Sequence, residues 1–349
     1  MFGPRAQTGH PARQRIFFLL MLFIPLAATG VVGEFLVRLM FGSPPQLKLP
    51  LLVIEPHPDL AWIMRPNSFH YTWGHPVSTN ELGLRAAPIR KKAENEFRIL
   101  ALGDSMVFGR GVELADTIPG VIERSLLDPA PSGRRIAVVN AGVQGYSTNQ
   151  ELTACRLYGE KIQPDLVILF WFWNDFTEEI NIPAVYSVLR QRGPCLFGFD
   201  TRKLPLRFYP YYLLRQSALA LRFWDIAKAY RAKDPSRAAI DAGYRKLHGY
   251  LEDLNNQARS QHFQPVVVVI PDATEILGET WTRQVGSEVA KIAAEHRIPT
   301  ISVLSSLRAA YDRDRMPIIP FDGHYNAEGN RTIGRAVTQS LVKTGQIPR

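Results

Sequence analysis

Cysteine is scarce in this sequence: Cys155 and Cys195 are the only two in 349 residues. That excludes a disulfide-dense scaffold, and no Cys/His spacing suggests a zinc site. Neither a metal nor a cofactor is expected. Acidic residues are missing before Glu34. No internal repeat stands out, and no nucleic-acid motif accompanies the net charge of +9, so nucleic acid is not an expected partner. What remains, 46% hydrophobic and 21% charged, is an ordinary globular balance. The length suits one large domain or two modest ones.

One long apolar run is present. Ile16 to Gly33 is uncharged, near the ~20 residues that a helix needs to cross a bilayer. Ile16, Phe17, Leu20, Leu26 and Val32 are its candidate lipid-facing residues. Arg5, Arg13 and Arg15 precede it, and Glu34 follows. The basic flank predicts a cytoplasmic N-terminus (1–15), a signal-anchor helix (16–40) and an exported remainder. A cleaved signal peptide is the rival reading, but "AATG" is a poor cleavage site and "FLVRLMF" continues the helix. Export would permit a Cys155–Cys195 disulfide; the sequence leaves the pairing open.

Residues 41–95 read as a proline-rich linker and a short extended region. From residue 96 to about 345 strands and helices alternate. Strands are expected at Phe97–Leu102, Arg135–Asn140, Asp165–Phe170, Pro265–Ile270 and Thr300–Val303. Each is a short apolar run without alternation, as in parallel strands covered on both faces. Helices are expected at Thr117–Leu127 and Thr148–Glu160, the second opened by a capping box at Ser147 and Gln150. The fold class is therefore α/β: a three-layer, flavodoxin-like arrangement on a five-stranded parallel sheet. A helical insert is expected at about 180–262. Its stretch from Leu189 to Arg237 carries 11 basic and 3 acidic residues, net +8. That suits an amphipathic helical surface or a site for an anionic partner, lipid headgroups or an acidic glycan.

Ligands of such sheets bind beyond the carboxyl ends of the strands. Ser105 follows the first strand in "GDS". Gly145 follows the second in "NAGVQG", Asn174 the third in "WND", and Asp322 and His324 stand near the C-terminus in "DGHYN". Each is weak alone, since each also fits a turn or a helix cap. Together they offer a nucleophile, oxyanion donors, and a base with its orienter, which acyl transfer requires.

These blocks resemble the SGNH, or GDSL-type, hydrolase superfamily over residues 97 to about 343. "VSTNELGLR", "LGDSMVFGRGV" and "NAGVQGYST" look like a membrane-anchored bacterial branch. The resemblance implies Ser105 as nucleophile and Asp322 and His324 as its acid–base partners. It implies an oxyanion hole from the N–H groups of Ser105, Gly145 and Asn174. Two departures stand out. Phe172 occupies the place of a usual glycine in the third block, which would narrow the acyl pocket or shift Asn174. The last block is Asp-x-His where many soluble esterases have Asp-x-x-His. The shorter spacing is similar to that of exported polysaccharide O-acetyltransferases. It turns the expected substrate toward acetyl or other short acyl groups on an exported glycan. Transfer to a sugar hydroxyl, lysophospholipase or lipase action, and a silent glycan-binding module are the alternatives. Partners are then the ester substrate, glycan or lipid, and the membrane; oligomeric state is left open.

Overall fold

A computed structural model describes residues 11–127, 134–176, 180–196, 199–200, 204–231, 236–278, 285–312 and 315–347. The chain divides into two compact units, residues 1–44 with 210–232, and residues 45–209 with 233–349.

In chain order the helices are α1 (Pro11–Phe41), α2 (Ser105–Phe108), α3 (Ile118–Leu127), α4 (Thr148–Ile162), α5 (Ile182–Arg192) and α6 (Leu204–Gln216). They continue with α7 (Ala218–Arg231), α8 (Arg237–Gln261), α9 (Ala273–Leu277), α10 (Val285–Glu295), α11 (Leu304–Ala310) and α12 (Ala327–Lys343). The strands are β1 (Val53–His57), β2 (Ala61–Met64), β3 (Phe69–Thr72), β4 (His75–Ser78), β5 (Glu96–Gly103) and β6 (Arg135–Gly142). After them come β7 (Leu166–Trp171), β8 (Cys195–Leu196), β9 (Phe199–Asp200), β10 (Gln264–Val269) and β11 (Thr300–Ser302).

In the larger unit, β5, β6, β7, β10 and β11 form one parallel sheet in the order β11-β10-β7-β5-β6. Its strands alternate between two cores. Leu100, Leu102, Val167, Leu169, Val267 and Val269 pack with Leu152 of α4, Leu251 of α8 and Val289 of α10. Ile99, Ala101, Ile168, Phe170, Val266 and Val268 pack with Ile122 of α3, Leu307 of α11 and Val337 of α12. Two buried faces explain why the strands are apolar throughout. Helix α8 lies inside the stretch expected as an insert, yet its Leu247, Leu251 and Leu254 stripe is a load of the first core.

Residues 45–95 are more structured than a linker. The β1–β2 hairpin extends through β8 and β9 into a small antiparallel sheet, and β3–β4 forms a separate hairpin. Cys155 and Cys195 are both buried and not joined in a disulfide. Burial pushes the Cys155 thiol up to about 12, which leaves it un-ionised.

In the smaller unit, α1 is the one helix among the described residues that is long and apolar enough to cross a membrane, from Arg13 to Phe41. Such a helix fits a membrane anchor or a signal sequence. Beside it lies α7. Both carboxylate oxygens of Glu34 are occupied there, by the N–H groups of Ala218 and Leu219 (2.9 Å each), the Ser217 hydroxyl (2.8 Å) and Arg38 Nε (2.7 Å).

Candidate active site

Ser105 stands at the first position of α2, immediately beyond β5. Asp104 is the N-cap; its Oδ1 accepts from Met106 N (2.8 Å). At the first helical position the N–H of Ser105 has no acceptor within the helix. The turn is tight on both sides. A methyl group on Gly103 would lie 2.3 Å from Val107 Cγ2, and one on Gly142 would lie 2.2 Å from the Phe108 nitrogen. Glycine is therefore required wherever β5 and β6 pass beneath α2. Asn140 completes the seat, donating to Val107 O (3.0 Å) and accepting from Gly142 N (3.0 Å).

The far end of α2 is held by Arg85, which is fully buried. Its guanidinium donates to the carbonyls of Phe108 (3.0 Å), Gly109 (2.7 Å), Val112 (2.7 Å) and Pro76 (3.0 Å). A cation at a helix C-terminus meets the negative end of its dipole and its unpaired carbonyls. Burial lowers the Arg85 pKa to about 10, still a cation at neutral pH. Asn80 delivers it: its Oδ1 accepts from Leu82 N and Leu84 N (3.0 Å each), and its amide donates to Ala87 O (3.1 Å). The segment "VSTNELGLR" thus folds a turn that aims one arginine at the serine helix.

The last loop brings the base. Residues 317–326 close on themselves through Asn326 N to Pro317 O (2.9 Å) and Ile319 N to His324 O (2.8 Å). Asn326 caps α12, accepting from Glu328 N and Gly329 N. Tyr325 is buried and donates to Pro271 O (2.6 Å). In this frame His324 Nε2 lies 2.7 Å from Ser105 Oγ, and His324 Nδ1 hydrogen-bonds Asp322 Oδ1. The Asp322 side chain is 4% exposed and that of His324 17%. The three residues expected to act together are brought together in one hydrogen-bonded relay.

Gly145 lies in the turn after β6, with φ +77°. Both its neighbours are fastened to Trp62, whose indole donates to Gln144 O (3.3 Å) and whose carbonyl accepts from Tyr146 Oη (2.7 Å). Asn174 sits in a 3-10 turn, Trp173–Phe176, after β7. Its Nδ2 donates to Asp104 Oδ2 (3.1 Å), so one carboxylate caps the serine helix and orients the asparagine. Phe172 does not fill the cleft: it is 9% exposed and packs in the core that α3 and α12 cover. Its backbone N–H donates to Asp175 Oδ2 (3.1 Å).

Beneath these groups three carboxyls are buried. Burial pushes Asp104 up, against hydrogen bonds from Met106 and Asn174. Glu151 and Asp175 are pushed well up by burial, and then by the neighbouring carboxyls.

Two residues beside Asp322 escaped the sequence reading. Trp73 Nε1 donates to Asp322 Oδ2 (2.9 Å), and Arg110 Nη2 lies 3.3 Å from the same oxygen. The Arg110 guanidinium stacks 4.6 Å over the Trp73 ring. Together they orient the carboxylate. One sequence signal was there. The β3–β4 hairpin turns through Trp73 and Gly74, with φ +44° and +86°. Asn-Gly is the usual choice for such a turn, so a tryptophan in its first position is strained and marks a side chain needed for something else. A groove of about 560 Å³, lined by Lys92, Gln163, Asp165 and Gln261 among others, opens at the N-terminal end of β7 and is not part of this site.

A family model described as GDSL-like Lipase/Acylhydrolase matches residues 101–332. No curated protein sequence matches the chain. Similar solved structures include a lipase/acylhydrolase from Enterococcus faecalis, at 12% identity and TM-score 0.42, covering 71% of this chain and 96% of that one. A member of the lipolytic protein G-D-S-L family from Veillonella parvula shows 14% identity and TM-score 0.42, with 71% and 99% covered. An acetyl xylan esterase, AlAXEase, shows 12% identity and TM-score 0.40, with 70% and 100% covered. The activities in those descriptions belong to those proteins. The family match spans well over half of this chain, including the serine turn and the Asp-x-His loop, and the chain belongs to the GDSL-like lipase/acylhydrolase family, a family of ester-bond hydrolases.

Proposed function

We propose that the protein is a serine esterase working through an acyl-enzyme. The observation that carries this reading is the hydrogen-bonded relay from Ser105 through His324 to Asp322. His324 Nε2 takes the Ser105 proton as Oγ attacks the ester carbonyl, and Asp322 stabilises the imidazolium. The oxyanion takes hydrogen bonds from the N–H groups of Ser105 and Gly145 and from Asn174 Nδ2, which Asp104 fixes. The carbon–oxygen bond then breaks, His324 returns the proton to the leaving alcohol, and water releases the acyl group by the same steps in reverse. A sugar hydroxyl in place of that water would make the chemistry a transfer.

The substrate we infer is an acetyl or other short acyl ester on an exported glycan. Support comes from the Asp-x-His spacing and from the apolar helix α1, which we read as an uncleaved anchor with a cytoplasmic N-terminus and an exported catalytic unit. The test is labelling of the full-length protein by a fluorophosphonate, with turnover of p-nitrophenyl esters of rising chain length. Labelling lost in Ser105→Ala and weakened in His324→Ala, with acetate preferred, is the expected result. A folded wild type that stays unlabelled would sink the acyl-enzyme, and preference for long chains would replace the glycan with a lipid substrate.

A further inference from the structure

The smaller unit holds a feature that the catalytic chemistry does not use. Helix α7 and the end of α6 expose large apolar side chains: Leu213 is 66% exposed, Phe223 65%, Trp224 56% and Tyr230 92%. Apolar surface of this kind on a folded protein marks a contact with something else. Basic residues are interleaved with it. Arg222, Lys228 and Arg231 lie on α7, whose sole acid, Asp225, pairs with Lys228 at 3.1 Å.

Position along α1 identifies what covers this face. The uncharged run of α1 ends at Gly33, so in a spanning helix Glu34 marks the edge of the hydrocarbon. Glu34 is also the cap of α7, and Arg38 Nη2 holds the Gln216 carbonyl at 2.6 Å. The bend between α6 and α7 is therefore clamped at that edge. From there α7 follows α1 outward. Arg222, one turn on from the bend, stacks 4.3 Å over Phe41, the last residue of α1, about 10 Å beyond Glu34 at 1.5 Å per residue. Four hydrogen bonds on Glu34 let a carboxylate rest at the border of an apolar phase. Tryptophan, tyrosine and arginine are the side chains that suit a headgroup layer.

We propose that Pro210–Trp224, the bend with the first turns of α7, is a second membrane element: a helix–bend–helix wedge seated in the headgroup layer where α1 ends, with anionic phospholipid headgroups as its partners. This rests on the reading of α1 as a span. Charge complementarity selects anionic lipid, and the Glu34 clamp makes the wedge continuous with the anchor.

The test uses the full chain in vesicles of phosphatidylcholine and phosphatidylglycerol. Single thiols are introduced by Phe23→Cys, Leu214→Cys and Trp224→Cys and labelled with a nitrobenzoxadiazole dye. Cys155 and Cys195 are buried, and the wild type reports any background. All three labels are expected to be blue-shifted. Leu214→Cys and Trp224→Cys should be quenched most by lipids spin-labelled near the headgroup, and Phe23→Cys by lipids labelled deep in the chain. Iodide quenching at 214 and 224 with lipid quenching at 23 would overturn the wedge and keep the anchor. Iodide quenching at all three would overturn both. Shielding of 214 and 224 from both quenchers would mean that protein covers this face, which also overturns the proposal. Quenching at 224 should fall in vesicles of phosphatidylcholine alone, and no fall would overturn the anionic partner.

Discussion

The serine turn and the α7 helix are built on opposite terms. Around Ser105 the side chains that seat the serine helix are fastened to other groups inside the protein. Asp104, Asn140 and Arg85 are each buried, and each ties α2 to a neighbouring element through two or more hydrogen bonds. Along α7 only Ala218 and Leu221 are buried, and its aromatics face outward. An interior that satisfies its own groups can hold atoms to a fraction of an ångström, as proton transfer requires. A face left apolar and basic is specified by a partner, which in our reading is lipid. Precision and adaptability are thus kept in separate units of one chain.

That contrast can be broken most sharply at Arg85. Arg85→Ala leaves the carbonyls of Phe108, Gly109 and Val112, at and just beyond the end of α2, and that of Pro76 on β4 without this donor. It is expected to lower stability by roughly 3–4 kcal/mol, seen as a lower denaturant midpoint, and to reduce fluorophosphonate labelling of Ser105. Arg85→Lys should recover only part, because the three donors of one ammonium nitrogen cannot reproduce the planar fork whose two nitrogens reach four carbonyls.

Glu275 sharpens the comparison through pH. It is buried on α9, and burial, then Asp272, raises its pKa to about 7. Its folded value lies above its unfolded value. The protonated form is thus fully stabilising below the ordinary carboxylate range, and that stability is lost as pH rises through about 7. Glu275→Gln is expected to flatten the fall in melting temperature between about pH 4.5 and 7, an effect on the order of 3 kcal/mol. An identical pH profile in the variant would show that Glu275 ionises without penalty.

Trp73 has a smaller and purely kinetic effect. Trp73→Phe keeps the ring beneath Arg110 and removes the bond to Asp322. A tenfold to hundredfold fall in kcat with KM nearly unchanged is expected, roughly the worth of one hydrogen bond to a carboxylate. A rise in KM alone would make Trp73 a substrate contact instead.

The smallest effect is expected at Trp224. In detergent, Trp224→Ala should shift stability by less than about 0.5 kcal/mol, because the ring covers little of the protein itself. A large loss would mean that α7 is held by internal packing and would erase the contrast between the two units.

Much of the larger unit was legible locally. The five apolar runs became the five strands, and helices followed at Ile118–Leu127 and Thr148–Ile162. Gln150 reaches back to Ser147 N at 3.2 Å, as its spacing suggested. Residues 51–78 were less legible, since strands of four or five residues with mixed burial carry little periodicity. Phe172 was ambiguous for another reason. Its bulk suggested an obstructed cleft, but strand alternation from Phe170 carries it into the core.

The sequence by itself determined the fold class, the apolar helix and the blocks that carry Ser105, Gly145, Asn174, Asp322 and His324. These are short-range properties: a period, a cap, a turn. Tertiary structure alone decided that Trp73 and Arg110 would meet Asp322, that Arg85 would hold the carbonyls of Phe108 and Gly109 where α2 ends, and that Glu34 would cap a helix beginning at Ala218. Those pairs are far apart in sequence. Their partners are backbone carbonyls, N–H groups and a carboxylate that become available only when distant elements pack, so no local pattern could name them.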